Sequence, residues 1–563
     1  MRKRTWVVVS LLFGLTTLVP WLLLLCMNHG LFGVPPELAD DSIYYYARVE
    51  SVVAGHPFIG NPYFKEHTDE IASAFFGADW IASIPRLLHI PLFPSILLNL
   101  IVWSSVYVFL CLSLLSLSGL SRKHTLLGAV TLFISAFWLL ERPVAMQIVF
   151  PVYILFLASF LWWLQEPQSG RRSLALVGST VLSFYTYTYL WQIVTVCLLV
   201  SHALLLHDFK KWKRILAIDA VTGVLISPLV WYTHLQLSQP YYWETVTRIG
   251  YVATRTFGSA GLINLALIVL AVSAFAVSKK RSLNDPFTVF ILITGFALVA
   301  TTFSNVLTNK DLETAVHIGR FVELWSVFVV IVSMTSLSSK ENKKQWILVG
   351  SVSVLIVSYS LYIFSMGFRE VSHDTLIPQR YGPVLSWLSQ NTPAQSTILT
   401  TDELGAYIPV ITKDYVVFEP AGGLYLMSDR ELEDRYLVSR VFTNLTLDRL
   451  KNDFRKYAGV GNAVHHFKIH NREVELCRLV SKSDCGIQYS DAVAERGTAY
   501  FEELYSRYKR IQKEPNQSLT RYNVDYVVIQ GESVNKDMVL KKLIVEGDYT
   551  VYQVDKDTLN VRE

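Results

Sequence analysis

Cysteine is scarce in this chain, with five in 563 residues, and no two of them form a C-x-x-C pair. The sequence also has no H-E-x-x-H, no phosphate-loop G-x-x-x-x-G-K-[ST], no G-x-G-x-x-G and no G-x-S-x-G. Those gaps leave metal-finger, zinc-protease, nucleotide-driven and serine-hydrolase chemistry without support. Charge is sparse too: Asp, Glu, Lys and Arg make up 17% of the residues, for a formal net charge of +4. The small basic excess sits in short clusters between apolar runs, which is no footprint for a nucleic acid.

What fills the chain instead is apolar: 52% of residues, with a mean hydropathy of +0.35. Apolar segments at 6–27, 95–118, 125–141, 146–164, 173–188, 190–207, 214–235, 260–278, 287–307, 320–337 and 345–366 come near the roughly 20 residues a spanning helix needs. Eleven spans put every basic cluster (Arg2, Lys3 and Arg4, then "SRK" at 121, "RR" at 171, "KKWKR" at 210, "KKR" at 279 and "KENKK" at 340) on one side. The positive-inside rule makes that side the cytoplasm. Reading 173–207 as one span would move "KKWKR" and "KKR" outside, so charge favours two short helices. The first run lacks a small-residue cleavage site before Asn28 and reads as an uncleaved helix.

Charge then returns. Residues 367–563 hold 25 of the 50 Lys and Arg and 28 of the 46 Asp and Glu. The chain therefore reads as a membrane domain, 1–366, and an extracytoplasmic soluble domain, 367–563, of mixed α/β type. "STILTT" and "DYVVFEP" read as strands, "PVLSWLSQNTP" and "SDRELEDRYLVSRVF" as helices, "VDYVVIQ" as a buried strand and "YTVYQV" as an edge strand. Cys477 and Cys485 are the only cysteines of the soluble domain. Its compartment favours oxidation, and a Cys477–Cys485 disulfide is expected. Cys26, Cys111 and Cys197 fall in spans, where cysteine behaves as a small apolar residue.

The first external loop, about 28–94, opens with "VPPELADDSIYYYARVESVVAGHPFIGNPYFKEH". Pro35 and Pro36 break the chain, Asp40 or Asp41 can cap a helix running to Gly55, and "IASAFFGADWIASIPRLLHI" reads as an amphipathic interfacial helix. Capping acids and interfacial tyrosines would account for the same residues without chemistry.

An acidic pair in the first external loop, followed by the tyrosine-rich helix of "ADDSIYYYARV", resembles the glycosyltransferase C superfamily. Oligosaccharyltransferase catalytic subunits, protein O-mannosyltransferases and aminoarabinose transferases belong to it. The resemblance implies eleven to thirteen spans, a cytoplasmic amino terminus and an external carboxy-terminal domain. It also implies a sugar donor carried on a polyprenyl (or dolichyl) phosphate and a lipid, glycan or protein acceptor. Inversion at the anomeric carbon follows from it. Asp41, with Asp40 second, would then be the base or the ligand of a Mg²⁺ or Mn²⁺ ion, and a basic residue of a late external loop would hold the lipid phosphate.

Displacement at an anomeric carbon does need a base on the acceptor and a positive partner for the leaving phosphate. The candidates for these contacts are Tyr45, Glu66 and His67 in the first loop, Arg142 in "LLERPVAMQ", and His317 and Arg320 in "NKDLETAVHIGRFVELW". Glu141 and Arg142 could equally form a surface ion pair, Arg320 an interfacial anchor, and Glu66 and His67 a solvated loop. The aromatics of "SFYTYTYLWQ" and "SQPYYWETVTRIGY" fit a membrane belt as well as a sugar platform. His202, His234 and Glu323 are polar groups in costly places, with no partner nameable from sequence. A lipid-linked glycan polymerase or ligase would shift the essential groups to Arg and His, and a glycolipid transporter or flippase would need a polar path across the membrane.

Overall fold

The computed structural model describes residues 3–27, 33–39, 41–71, 75–206, 208–278, 285–336, 343–400, 403–480, 485–531 and 538–557. Among the described residues, nine helices are long and apolar enough to cross a membrane: Arg4–Cys26, Leu92–Leu117, Arg122–Leu140, Ala145–Gln165, Thr188–Leu205, Phe209–Leu237, Ser259–Ser278, Thr314–Thr335 and Ile347–Arg369. Gly170–Thr186 and Pro286–Thr302, each of 17 residues, bring the bundle to eleven. At about 1.5 Å per residue these two measure about 26 Å, just short of a hydrocarbon core of about 30 Å. The chain is a polytopic α-helical membrane protein.

The long apolar run from 173 is divided at Tyr187, whose extended backbone (φ −159°, ψ 129°) ends one helix and starts the next. Ala145–Gln165 sits at the centre of the bundle, nearly all of its apolar window buried. Small residues bring helices together at its edge. A Cβ at Gly14 would lie 2.0 Å from Ser105 Oγ, so only glycine lets Arg4–Cys26 settle against Leu92–Leu117.

The carboxy-terminal domain carries a five-stranded mixed sheet in the order β2-β1-β3-β5-β4, with β1 Thr397–Thr400, β2 Tyr415–Val416, β3 Tyr526–Gln530, β4 Leu540–Glu546 and β5 Tyr549–Val554. β1 runs parallel to β2 and β3, and β5 antiparallel to β3 and β4. "YTVYQV" is thus not the edge strand expected from its sequence. "LKKLIVE" takes the edge instead, because its two lysines tolerate solvent while Tyr549 and Val551 of β5 are fully buried. "DYVVFEP" shrinks to the two residues of β2. Ser428 caps the helix Asp429–Ser439 by accepting a bond from the Glu431 N–H, as "SDRE" suggests. Cys477 and Cys485 are joined as a disulfide.

A second core fuses the first loop to this domain. Ile43, Tyr46, Ile59, Tyr63 and Phe64 pack with Tyr381, Leu404, Tyr407, Val416 and Tyr436. The Val416 N–H donates to the Tyr63 carbonyl (2.8 Å), and Asn61 Nδ2 donates to the Gly422 carbonyl (2.9 Å). Gly422 is needed there, since a Cβ would lie 2.4 Å from the Phe64 ring.

Candidate functional site

The loop after Pro36 supplies the first wall of the site. Asp41 stands at the N-cap position of the helix Ser42–Val53, but its side chain makes no cap hydrogen bond. It turns instead to Arg142, whose Nε donates to Asp41 Oδ1 (2.7 Å) and whose Nη2 donates to Oδ2. A forked guanidinium offers a carboxylate two charge-assisted bonds where a helix end offers one neutral N–H. The capping expectation therefore fails for the side chain. Asp40 lies outside the described residues.

Tyr45, one turn along that helix, completes the contact: Arg142 Nη2 donates to its hydroxyl (3.3 Å), and the guanidinium carbon lies 5.4 Å from its ring centre. Burial pushes the Tyr45 hydroxyl far above its ordinary range, so it stays protonated. Burial works against the Arg142 charge, but Tyr45 and Asp41 outweigh it and hold Arg142 above its ordinary value. Glu141 is not the ion partner of Arg142. It accepts a bond from Trp21 Nε1 (3.1 Å), and burial pushes its carboxyl up to about 8.

Tyr187 supplies the second wall. Its hydroxyl lies 3.0 Å from His317 Nδ1 and within electrostatic reach of Arg320, Arg142 and Asp41. His317 stacks on Tyr189 with ring centres 4.3 Å apart and planes 11° from parallel. Asp41, Tyr45, Arg142, His317 and Arg320, five residues singled out from the sequence, thus converge around Tyr187. Among the described residues, Arg142 Nη1 and Arg320 Nη1 are buried donors with no hydrogen-bond partner. A buried guanidinium N–H without an acceptor is costly, and an anion is a ligand that would satisfy such a donor.

Glu66 and His67 face elsewhere. Glu66 accepts from Arg435 Nη2 (2.9 Å), and His67 bridges Glu70 (2.7 Å) and Glu431 (2.8 Å). They line a cleft of about 460 Å³ with Arg430, Glu431, Asp434, Arg435 and Arg521 of the soluble domain. Arg435 lies between the Phe64 ring (4.4 Å) and the Tyr522 ring (4.7 Å). No described contact links either residue to Asp41.

Sequence reasoning missed the supports of the site. Arg48 grips Asp79 through two 2.7 Å bonds and Arg86 grips Glu50 through bonds of 2.6 and 2.8 Å, locking the helices Ser42–Val53 and Gly77–Leu87 together. Their basic and acidic partners are 31 and 36 residues apart, beyond any local pattern. Glu313, just before the His317 helix, meets His465 of the soluble domain at 3.0 Å, and this partner holds its carboxyl below the ordinary value in spite of burial. His202 also has a partner that the sequence hid: Asp219 of the next span. That pair lies at the opposite ends of the helices from Tyr187.

Of the two acids expected to hold a metal ion, only Asp41 lies among the described residues. Both oxygens of Asp41 are engaged by Arg142, and no three described His, Cys, Asp or Glu side chains come together in a way that could hold an ion.

No protein-family model matches the chain, and no curated protein does. Solved structures similar to it include ArnT from Cupriavidus metallidurans bound to undecaprenyl phosphate (TM-score 0.44, 12% identity, 96% of this chain and 97% of that one). The oligosaccharyltransferase of Archaeoglobus fulgidus without ligand is another (0.45, 11%, 94% and 69%). A third is the archaeal oligosaccharyltransferase AglB from the same organism, with an inhibitory peptide and a dolichol phosphate (0.43, 12%, 94% and 69%).

Proposed function

We propose that the chain is a membrane glycosyltransferase that moves a sugar from a polyprenyl-phosphate donor to an acceptor on the soluble-domain side of the membrane, taken to be extracytoplasmic. The observation that carries the reading is the pair of buried, partnerless guanidinium nitrogens, Arg142 Nη1 and Arg320 Nη1, of two arginines near Tyr187, one of which grips the Asp41 carboxylate. A lipid phosphate at this place would accept from both arginines. Drawing Arg142 toward the phosphate would loosen its hold on Asp41, leaving that carboxylate to take the proton of an acceptor hydroxyl as it attacks the anomeric carbon. Attack opposite the phosphate inverts that carbon. As the bond to the phosphate breaks, the arginines meet the charge that develops on its oxygen.

A second reading draws on the same contact. A carboxylate gripped at both oxygens is a poor base, which favours a polymerase or ligase that uses the arginines and His317 without Asp41. The test is transfer of labelled sugar from polyprenyl-phosphate donors in membranes that carry equal amounts of wild type, Asp41→Asn or Arg320→Gln. Loss in both variants supports the base reading, and loss in Arg320→Gln alone supports the second. Full transfer in both overturns the site.

A further inference from the structure

Among the described residues, the helix His466–Val480 of the soluble domain ends in apolar side chains that belong to no core cluster. Leu479 is 82% exposed, Val480 89%, and Ile487 on the returning strand of chain 73%, with Leu476 also exposed. The disulfide Cys477–Cys485 ties that strand to the helix, and His470 Nε2 to the Ile487 carbonyl (2.9 Å) and Arg478 Nη1 to Gln488 Oε1 (3.1 Å) hold it alongside. Four exposed aliphatic side chains on a braced tip are not surplus of an ordinary soluble surface.

The placement of the helix says what covers them. The Arg472 guanidinium nitrogens would lie 3.0 Å from a Cβ at Gly258, the residue before the spanning helix Ser259–Ser278, and Thr254 donates to Glu473 (2.6 Å). Positions 472, 476 and 479/480 recur on one helix face. The face that rests on the mouth of a membrane span therefore carries Leu476, Leu479 and Val480 one and two turns further on. Phe257, two residues before the same span, is exposed as well. Aliphatic groups flanked by Arg472 and Arg478 suit a bilayer, where the chains enter the acyl region and the guanidinium groups stay among phosphates.

We infer that this tip is a membrane foot: Leu476, Leu479, Val480 and Ile487 insert into the leaflet on the soluble-domain side, fixing the height of the soluble domain over the candidate site. The inference does not rest on the proposed activity. The test places a nitroxide at Leu479→Cys in the full chain carrying Cys26→Ser, with the native disulfide kept oxidised, reconstituted in phosphatidylcholine–phosphatidylglycerol vesicles. Ile263→Cys on the span Ser259–Ser278 and Glu503→Cys on the soluble surface are the references. The expected result is the signature of position 263: ready relaxation by oxygen and loss of relaxation by a water-soluble nickel chelate. Chelate access equal to that at position 503 would overturn the inference by placing the tip in water. Exclusion of both relaxants would overturn it by showing a second copy of the chain over the tip.

Discussion

Arg142 holds Asp41 by both carboxylate oxygens across 101 residues of sequence, joining the first loop to the turn between two spans. The contact places a loop carboxylate and a buried guanidinium in one arrangement, with a guanidinium nitrogen left over.

The first expected outcome concerns that pair. On the proposed base reading, Asp41→Asn keeps the shape and removes the proton acceptor, so transfer should fall by about 10²–10⁴-fold, the usual worth of a positioned base. Arg142→Lys should also lose transfer although the charge remains, because an ammonium cannot hold a carboxylate and a phosphate with one planar fork. Initial rates with each variant, normalised to protein in the membrane, check both. Full activity in Arg142→Lys would show that charge alone suffices.

A second outcome is structural. Arg48 and Asp79 are 3% and 2% exposed and bond each other twice. Asp79→Ala leaves a buried guanidinium without its counter-charge, which costs about 3–5 kcal/mol. The melting temperature in detergent should drop markedly. The double variant Arg48→Met, Asp79→Leu should recover most of the loss, since an apolar pair of similar volume removes both buried charges.

How much of this was legible beforehand depends on the range of the interaction. Apolar runs carry their own signal, and all eleven are helical among the described residues; the basic clusters called for two helices in 173–207, and the structure divides them at Tyr187. Asp41, Arg142, His317 and Arg320 were legible as residue types at span ends, because polar groups there are few. Their partners were not. Glu66 and His67 sit in the same short loop as Asp41, yet their contacts, Arg435 and Glu431, are 369 and 364 residues away. Nothing local distinguishes a carboxylate facing the membrane site from one facing the soluble domain. β5 misled for a similar reason: pairing with β4 takes it off the edge, and its side chains are buried against residues distant in sequence, as Tyr549 is against Tyr381.

A third outcome tests how the soluble domain is seated. A Cβ at Gly461 would lie 1.8 Å from the Thr247 carbonyl and 2.9 Å from the Gly250 nitrogen, so backbone meets backbone there. Gly461→Ala should push the helix Tyr242–Ile249 off the domain, at a cost of about 1–3 kcal/mol. Amide exchange of residues 245–252 should quicken while exchange in β3 and β5 stays slow. Unchanged exchange at 245–252 would mean that the contact does not seat the domain.

The last outcome is a pH dependence at the cleft between loop and domain. Burial alone would lower the His67 pKa, but its bonds to Glu431 and Glu70 raise it from 6.5 to about 9. Burial would raise Glu431, but His67 and Arg435 hold it at about 2, against an ordinary 4.5. A histidine raised on folding contributes stability that is complete below pH 6.5 and lost as pH rises through 9. A carboxylate lowered on folding contributes above pH 4.5 and loses that contribution as pH falls through 2. The latch is therefore complete between about pH 4.5 and 6.5 and weakens on the alkaline side first. The melting temperature of wild type should exceed that of His67→Gln by a constant margin across the acidic part of that window. The margin should shrink steadily from pH 6.5 to 9, and Glu431→Gln should flatten the same slope. A margin independent of pH over this range would show that His67 is held neutral, with its two bonds to carboxylates made by some other proton arrangement.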